Sequence, residues 1–295
     1  METKILDGKK TAQDMREEMR QEAITLKEKH NLIPGLAVVL VGEDPASVSY
    51  VTGKRKGCEK VGIYSREENH PVTLSEKKLL SLIAELNEDP AIHGILVQLP
   101  LPNHIDEKKV LYAINPQKDV DGFHPFSVGK MMIGEDTFLP CTPHGIQQLL
   151  VRNDISIASK HIVIVGRSNI VGKPLAMMLC QKKENANATV TLCHTRTKDI
   201  SYFTRQADIV IAAAGRPNTI TADMVSEGIV LVDVGVNRVE DASRKKGYRL
   251  VGDADFENIS PKASAITPVP GGVGPMTITM LLHNTIKSAK ISRSL

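Results

Sequence analysis

A tyrosine and a lysine four residues apart, Tyr50 and Lys54, lie in a segment that opens with Asp44-Pro45 and follows the apolar run Leu36-Ala37-Val38-Val39-Leu40-Val41-Gly42. In a helix, that spacing puts a phenol and an amine on one face. The apolar run reads as a buried parallel strand, so the pair projects from a helix just past the strand's carboxyl end, the edge where open α/β sheets bind ligands. An amine held there with little water has a lowered pKa and moves protons near neutral pH, which an exposed lysine does poorly. The same two residues also admit the reading of a solvated lysine beside a packed tyrosine.

Three further polar features interrupt otherwise apolar or structural stretches. Gln98 breaks the strand-like run Gly94-Ile95-Leu96-Val97-Gln98-Leu99 near its carboxyl end. A buried amide there either bonds the neighbouring backbone or faces a cleft. Asp121 sits in Lys118-Asp119-Val120-Asp121-Gly122, where the glycine allows a tight turn that presents the carboxylate inward, or leaves it a plain turn former. The stretch Thr267-Pro268-Val269-Pro270-Gly271-Gly272-Val273-Gly274-Pro275-Met276-Thr277 combines prolines that fix the path with glycines that admit close backbone approach. It reads as a site-lining segment followed by an apolar helix from Met276 to Leu282.

Positioning these residues falls to alternating strands and helices. The amino-terminal stretch carries Ala12, Met15, Met19, Ala23 and Leu26 at helical spacing, an amphipathic helix with a core-facing stripe. After Leu36 to Val41 come the Tyr50/Lys54 helix, a short strand near Tyr64, a helix from Ser75 to Asn87, the 94–99 strand and a helix near Asp106 to Ile114. This is βαβ organisation with a parallel sheet. A hinge or domain boundary is expected between Gly122 and Pro143, where Pro and Gly are frequent.

From Lys160 the pattern restarts. The strand His161-Ile162-Val163-Ile164-Val165 runs into Gly166-Arg167-Ser168-Asn169-Ile170-Val171-Gly172-Lys173-Pro174 and a helix from Leu175 to Lys183. Strand, glycine turn and helix form a phosphate-binding arrangement, although Ser168 holds the second glycine position and Gly172 comes one residue late. Strands follow at Thr189 to Cys193, Ile209 to Ala214 and Ile229 to Val234. The second ends in Cys193-His194-Thr195-Arg196-Thr197, with no acid to accept from ribose hydroxyls. Thr195, Arg196 and Arg167 offer donors and positive charge instead, which predicts NADP over NAD.

Composition bounds the class. A chain of 295 residues suits two domains, and a net charge of +3 provides no basic stripe for nucleic acid. The four cysteines, Cys58, Cys141, Cys180 and Cys193, have neither paired nor zinc-ligand spacing, so free thiols and no metal are expected, with Cys141 a small buried filler. The first thirty residues resemble no signal or transit peptide, and no run of eighteen apolar residues exists, so a cytoplasmic protein without membrane contact is expected.

Taken together and in order, Tyr50-x-x-x-Lys54, the 94–102 segment with Gln98-Leu99-Pro100, Lys118 to Gly122, Gly166-Arg167-Ser168 with Val171 to Pro174, and Pro268 to Thr277 resemble the bifunctional methylenetetrahydrofolate dehydrogenase/cyclohydrolase family over nearly the whole chain. The resemblance implies an α/β fold of two domains with the active-site cleft between them. One is a folate-binding catalytic domain over 1–140, onto which a carboxyl-terminal helix, 276–295, packs back; the other is a Rossmann-like NADP domain over 141–275. It implies oxidation of 5,10-methylenetetrahydrofolate with NADP and hydrolysis of the methenyl product to 10-formyltetrahydrofolate, in one-carbon metabolism that feeds purine biosynthesis, by a homodimer. Residue by residue it implies Lys54 at the centre of hydrolysis, Gln98 orienting it, Tyr50 stacking on the aminobenzoyl ring and Asp121 accepting from the pterin. Leu99, Pro100, Pro268, Gly271 and Gly272 complete the substrate set, and Gly166, Arg167, Ser168, Thr195, Arg196 and Val236 the cofactor set. Two competitors are a shikimate-dehydrogenase-like oxidoreductase, which also pairs Lys with Asp, and a non-catalytic NADP-sensing module.

Overall fold

The computed structural model of the chain describes residues 2–244 and 247–295. Two compact units form, one from Gln13–Cys141 with Ile278–Leu295 and the other from Met1–Ala12 with Thr142–Thr277. The elements in chain order are β1 (Lys4–Ile5), α1 (Gly8–His30), β2 (Gly35–Val41), α2 (Pro45–Val61), β3 (Tyr64–His70), α3 (Glu76–Glu88), β4 (Gly94–Val97), α4 (Glu107–Ala113) and α5 (Pro125–Ile133). They continue with α6 (Cys141–Arg152), β5 (His161–Val165), α7 (Gly172–Leu179), β6 (Thr189–Cys193), α8 (Ile200–Thr204), β7 (Ile209–Ala212), β8 (Val230–Asp233), β9 (Asn237–Glu240), β10 (Tyr248–Val251), α9 (Phe256–Ile259), β11 (Ala265–Ile266) and α10 (Val273–Ser292).

In the unit that contains Lys54, three parallel strands run in the order β3-β2-β4. Every residue of β2 is buried, which is why its sequence is a continuous apolar run rather than an alternation. Ala37, Val39 and Val41 join Ile95 and Val97 of β4 against Leu79, Ile83 and Leu86 of α3. Each of these valines, leucines and isoleucines contributes about 1.5–3 kcal/mol by leaving water. The α1 stripe of Ala12, Met15, Met19, Ala23 and Leu26 is buried, as the helical spacing predicts.

Helix α2 begins where Asp44 caps it by accepting from the Ser47 N–H at 2.8 Å, with Pro45 at the first position. It ends at Gly62, whose left-handed backbone returns an N–H to the Cys58 carbonyl. Gly53 and Gly57 share one face, and a Cβ on either would stand 3.1 Å from Ile278 or Leu282 of α10. Each glycine costs roughly 0.5–1 kcal/mol inside a helix. Close seating of α10 offsets that cost and fixes the segment carrying Lys54.

The turn at Lys118–Gly122 is held at several points. Ile95 donates its N–H to the Lys118 carbonyl, and the Lys118 ammonium donates to the Leu86 and Asp89 carbonyls at the end of α3. Val120 is fully buried against Gly94, where a Cβ would come within 2.7 Å of a Val120 methyl. Gly122 has φ +74°, and a Cβ there would lie 2.7 Å from the Pro140 nitrogen. Asp119 accepts from the Phe123 and His124 N–H groups at 3.3 and 2.8 Å and from the Ser127 hydroxyl at 3.0 Å. Burial pushes its carboxyl up to about 7, against the pull of the His124 hydrogen bond.

The other unit holds a six-stranded parallel sheet in the order β1-β11-β8-β7-β5-β6, with an antiparallel β9-β10 pair beside it in sequence. Its core gathers Val163, Val165, Val210, Leu231, Ile259 and Ile266. The four strands expected from the sequence stand at β5 to β8, whereas β1 and β11 have two residues each, too few for any periodicity to register.

Several boundaries differ from the sequence reading, each around a proline. The stretch from Gly122 to Pro143, expected to hold a hinge or domain boundary, does contain the division between the units at Cys141/Thr142, but it also contains helix α5, started by Pro125 and capped by the His124 ring, which accepts from the Phe126 N–H. Helices α7 and α10 likewise begin before Pro174 and Pro275 rather than after them, since proline is tolerated in a first turn. Strand β4 stops at Val97, two residues short of the expected Leu99, although Gln98 still donates its N–H to the Val39 carbonyl.

Two outcomes test the turn. Gly94→Ala should cost about 1–3 kcal/mol through overpacking against Val120, and adding Val120→Ala should give a double variant less destabilised than the sum of the single changes, measured by urea unfolding. Strict additivity would show that the two positions do not press on one another. For Asp119, the folded pKa of about 7 exceeds the ordinary 3.8, so the fold holds a proton that the unfolded chain has released. The stabilisation is complete below the unfolded value and disappears as pH rises through the folded one. Asp119→Asn lacks this proton, so the stability of the wild type relative to the variant should fall from about pH 4 to about pH 7. A difference that is flat with pH would refute the assignment.

Candidate functional site

Lys54 is 8% exposed, and its ammonium donates to Oε1 of Gln98 at 2.8 Å. The Gln98 amide in turn donates to the Leu99 carbonyl at 2.7 Å, so the two alternatives for that amide, backbone satisfaction and service to a catalytic group, both hold. Burial lowers the Lys54 pKa, opposed by the charge of Asp121 and then by Cys141. Burial raises the pKa of half-buried Asp121, against the attraction of Lys54 and a hydrogen bond with the Cys141 side chain. The solvated-lysine alternative is therefore set aside. So is its packed tyrosine, because Tyr50, one helical turn before Lys54, is 41% exposed.

Cys141 is more than filler. Its thiol, pushed well up by burial, donates to the Val120 carbonyl at 3.4 Å and bonds Asp121. Asn284 of α10 donates to the same Val120 carbonyl at 2.8 Å and to the Leu139 carbonyl at 3.0 Å. Sequence reasoning passed over Asn284, Cys141 and Asp119 as functional supports. The available signal for Asn284 was a polar residue inside an apolar helix; for Asp119 it was a second carboxylate in the turn that supplies Asp121.

Pro268, Gly271 and Gly272 lie in the other unit. Gly272 donates its N–H to the Pro268 carbonyl, and Gly271, at φ +116°, accepts from the Lys9 N–H. A Cβ on Gly8 would fall 1.7 Å from the Gly272 oxygen, so it is Gly8 that lets the first turn of α1 seat against the segment's backbone. Leu99 and Pro100 stay with the Lys54 cluster, half-buried and exposed respectively, just beyond β4.

Gly166, Arg167 and Ser168 form the turn between β5 and α7. Gly166 adopts φ +140°, and a Cβ there would stand 2.0 Å from the Ala213 oxygen; one on Gly172 would stand 1.9 Å from the Gly166 oxygen. The Ser168 hydroxyl accepts from the Val171 and Gly172 N–H groups at the start of α7. Arg167, Ser168, Asn169 and Lys173 are exposed around this turn. Thr195 and Arg196 are exposed after β6, which pairs in parallel with β5, so both turns share one edge of the sheet. The loop after β6 is braced by Thr197 and His194: their side chains accept from the His194 and Arg196 N–H groups. Its first acid, Asp199, is committed to capping α8. Val236 is half exposed beyond β8 on the same edge. Tight glycine backbone, guanidinium groups and no free carboxylate fit a dinucleotide with an extra phosphate.

Among the described residues no group of His, Cys, Asp and Glu could hold a metal ion, and no helix is long and apolar enough to cross a membrane. The four cysteines are free, three of them buried.

The family profile described as tetrahydrofolate dehydrogenase/cyclohydrolase, catalytic domain, matches residues 6–121, and that described as tetrahydrofolate dehydrogenase/cyclohydrolase, NAD(P)-binding domain, matches residues 140–293. The bifunctional protein FolD of Syntrophus aciditrophicus (strain SB) is 60% identical over 291 residues, 99% of each chain. The crystal structure of the bifunctional methylenetetrahydrofolate dehydrogenase/cyclohydrolase FolD from Campylobacter jejuni superposes with a TM-score of 0.92 at 50% identity, covering 98% of this chain and 99% of that one. The Trypanosoma brucei N5,N10-methylenetetrahydrofolate dehydrogenase-cyclohydrolase, complexed with NADP cofactor and inhibitor, superposes with a TM-score of 0.94 at 37% identity over the full length of both chains. With a buried amine-amide-carboxylate cluster in one unit and a dinucleotide turn in the other, the chain belongs to the tetrahydrofolate dehydrogenase/cyclohydrolase family.

Proposed function

We propose that the protein oxidises 5,10-methylenetetrahydrofolate to the 5,10-methenyl form with NADP, then hydrolyses that product to 10-formyltetrahydrofolate, with Lys54 as the proton-handling residue of hydrolysis. The observation that carries this reading is the buried Lys54 amine on Gln98, with its pKa lowered by burial and Asp121 close enough to oppose the shift. Family membership sets aside the shikimate-dehydrogenase-like and NADP-sensing alternatives.

The chemistry asks different things of the two steps. Oxidation removes hydride from a carbon flanked by nitrogens whose lone pairs stabilise the cation, so alignment rather than acid or base is required. NADP, when bound, accepts that hydride. Hydrolysis requires water to lose a proton as it adds to the cationic methenyl carbon. A lysine held firmly charged would repel that cation, whereas burial lowers the Lys54 pKa and so eases release of its proton. Gln98 fixes its position, and Asp121 tunes its charge while accepting from pterin N–H groups. Exposed Tyr50 stacks on the aminobenzoyl ring, with Leu99, Pro100, Pro268, Gly271 and Gly272 lining the folate. Gly166, Arg167 and Ser168 bind the phosphates, Thr195 and Arg196 the 2′-phosphate, and the Val236 backbone contacts the nicotinamide. A cytoplasmic homodimer supplying one-carbon units to purine biosynthesis completes the reading, with residues 1–140 and the 276–295 helix as the folate domain and 141–275 as the NADP domain, except that β1 and the rest of Met1–Ala12 go with the six-stranded sheet of the NADP domain.

Lys54→Met keeps the stem length and removes the amine. Methenyltetrahydrofolate hydrolysis should fall about 10²- to 10⁴-fold, followed by the loss of methenyl absorbance, while folate binding persists. Wild-type hydrolysis in this variant would refute the role of Lys54. Calorimetric titration of the wild type should give tighter binding of NADP than of NAD. Arg196→Ser should weaken NADP about tenfold with little change for NAD, as expected for loss of one charge-assisted contact. Equal affinities in the wild type would overturn the cofactor assignment.

A further inference from the structure

The cofactor-side unit contains a buried two-carboxylate clamp that neither the sequence motifs nor the reading above assigns. Asp253 and Asp233 are 0% and 4% exposed. Oδ2 of Asp253 accepts from the Ala214 and Gly215 N–H groups at 2.6 and 2.7 Å, in the loop after β7. Its Oδ1 accepts from the Asn237 side chain at 2.8 Å. Asp233, the last residue of β8, accepts from Gly235 and Asp253 through Oδ1, both at 2.9 Å, and from Ala254 through Oδ2 at 2.8 Å. Glycines make the arrangement possible: a Cβ on Gly235 would fall 2.1 Å from an Asp253 oxygen, and one on Gly252 would fall 1.9 Å from an Asp233 oxygen.

Among the described residues neither carboxylate makes an ion pair, so N–H dipoles alone replace the lost water. Two unpaired buried carboxylates are an expensive way to hold a scaffold, since apolar residues fill such space at less cost. What they hold is specific. Asp253 ties the loops after β7 and β8 to one point, and those loops follow the carboxyl ends of parallel strands, where this fold binds its dinucleotide. Val236 stands half exposed between Gly235, held by Asp233, and Asn237, held by Asp253.

We propose that Asp253, braced by Asp233, is a positioning residue for the nicotinamide half of the cofactor: it fixes Ala214–Gly215 and Gly235-Val236-Asn237 relative to each other without touching substrate. This rests on the assignment of Val236 to the nicotinamide side. Asp253→Asn is close to isosteric, but it can no longer accept from both backbone N–H groups and from the Asn237 amide at once.

The test compares the two activities of the full-length protein with NADP affinity measured by calorimetry. In Asp253→Asn the ratio of dehydrogenase to cyclohydrolase rate should fall about 10- to 100-fold, as expected for a misplaced reacting group, and NADP should bind more weakly with a reduced thermal-stability increment. Asn237→Ala removes a single arm of the clamp and should lower the same ratio several-fold, which keeps the test available if Asp253→Asn does not fold. An unchanged ratio with unchanged NADP affinity, or a parallel loss of both activities that tracks lost stability, would overturn the positioning role. A wild type that turns over no folate would instead overturn the functional reading beneath it.

Discussion

One amine kept from water governs how the Lys54 unit is built. Burying an ammonium is costly unless partners replace its hydration, and here the partners are one amide oxygen at 2.8 Å and a carboxylate whose charge opposes the shift. Balance matters more than strength in this arrangement. A carboxylate in tight contact would hold the amine charged; a fully apolar site would expel it or leave it without a defined position. Gln98 is neutral, so it orients the amine without fixing its protonation state.

That balance depends on backbone placement to a fraction of an ångström, and glycines provide it. Gly53 and Gly57 let α10 seat against α2, and the same α10 sends Asn284 to the Val120 carbonyl, next to Asp121 in sequence. One helix therefore indexes both the amine and the carboxylate. Gly94 admits Val120, which anchors the other side of the same turn. Gly53, Gly57 and Gly94 serve close packing contacts that a side chain would crowd, whereas Gly62, at φ +88°, and Gly122, at φ +74°, serve backbone conformation.

Much of this was legible in the sequence because the signals are local. The strand β2, the capped helix carrying Tyr50 and Lys54, the strand that delivers Gln98 and the β5–α7 turn each declare themselves through a run of apolar residues and a punctuating Gly, Pro or Asp. The supports were not legible, because their partners are remote in sequence. Asn284 acts on residues 120 and 139, and Asp253 acts on residues 214, 215 and 237. No periodicity links such positions. Prolines misled for a different physical reason: Pro125, Pro174 and Pro275 all sit in first turns, where the missing N–H costs nothing, yet a linear reading takes each as an interruption.

The two units solve the same problem by the same device. In one, Asp119 gathers the Phe123 and His124 N–H groups and the Ser127 hydroxyl; in the other, Asp233 and Asp253 gather backbone N–H groups from three loops. A carboxylate is suited to this because, when ionised, both of its oxygens accept and neither donates, so it takes three donors at once, as Asp253 does. Its drawback is a raised pKa, about 7 for Asp119 and about 6 for Asp233, in each case led by burial and held down by the N–H donors. The Asp121 turn adds fully buried Val120 as an apolar anchor, whereas the loop beyond β8 leaves Val236 half exposed. Tethering each loop from beneath through its backbone N–H groups leaves its outward side chains free, and that freedom is what the cost of burying these carboxylates secures.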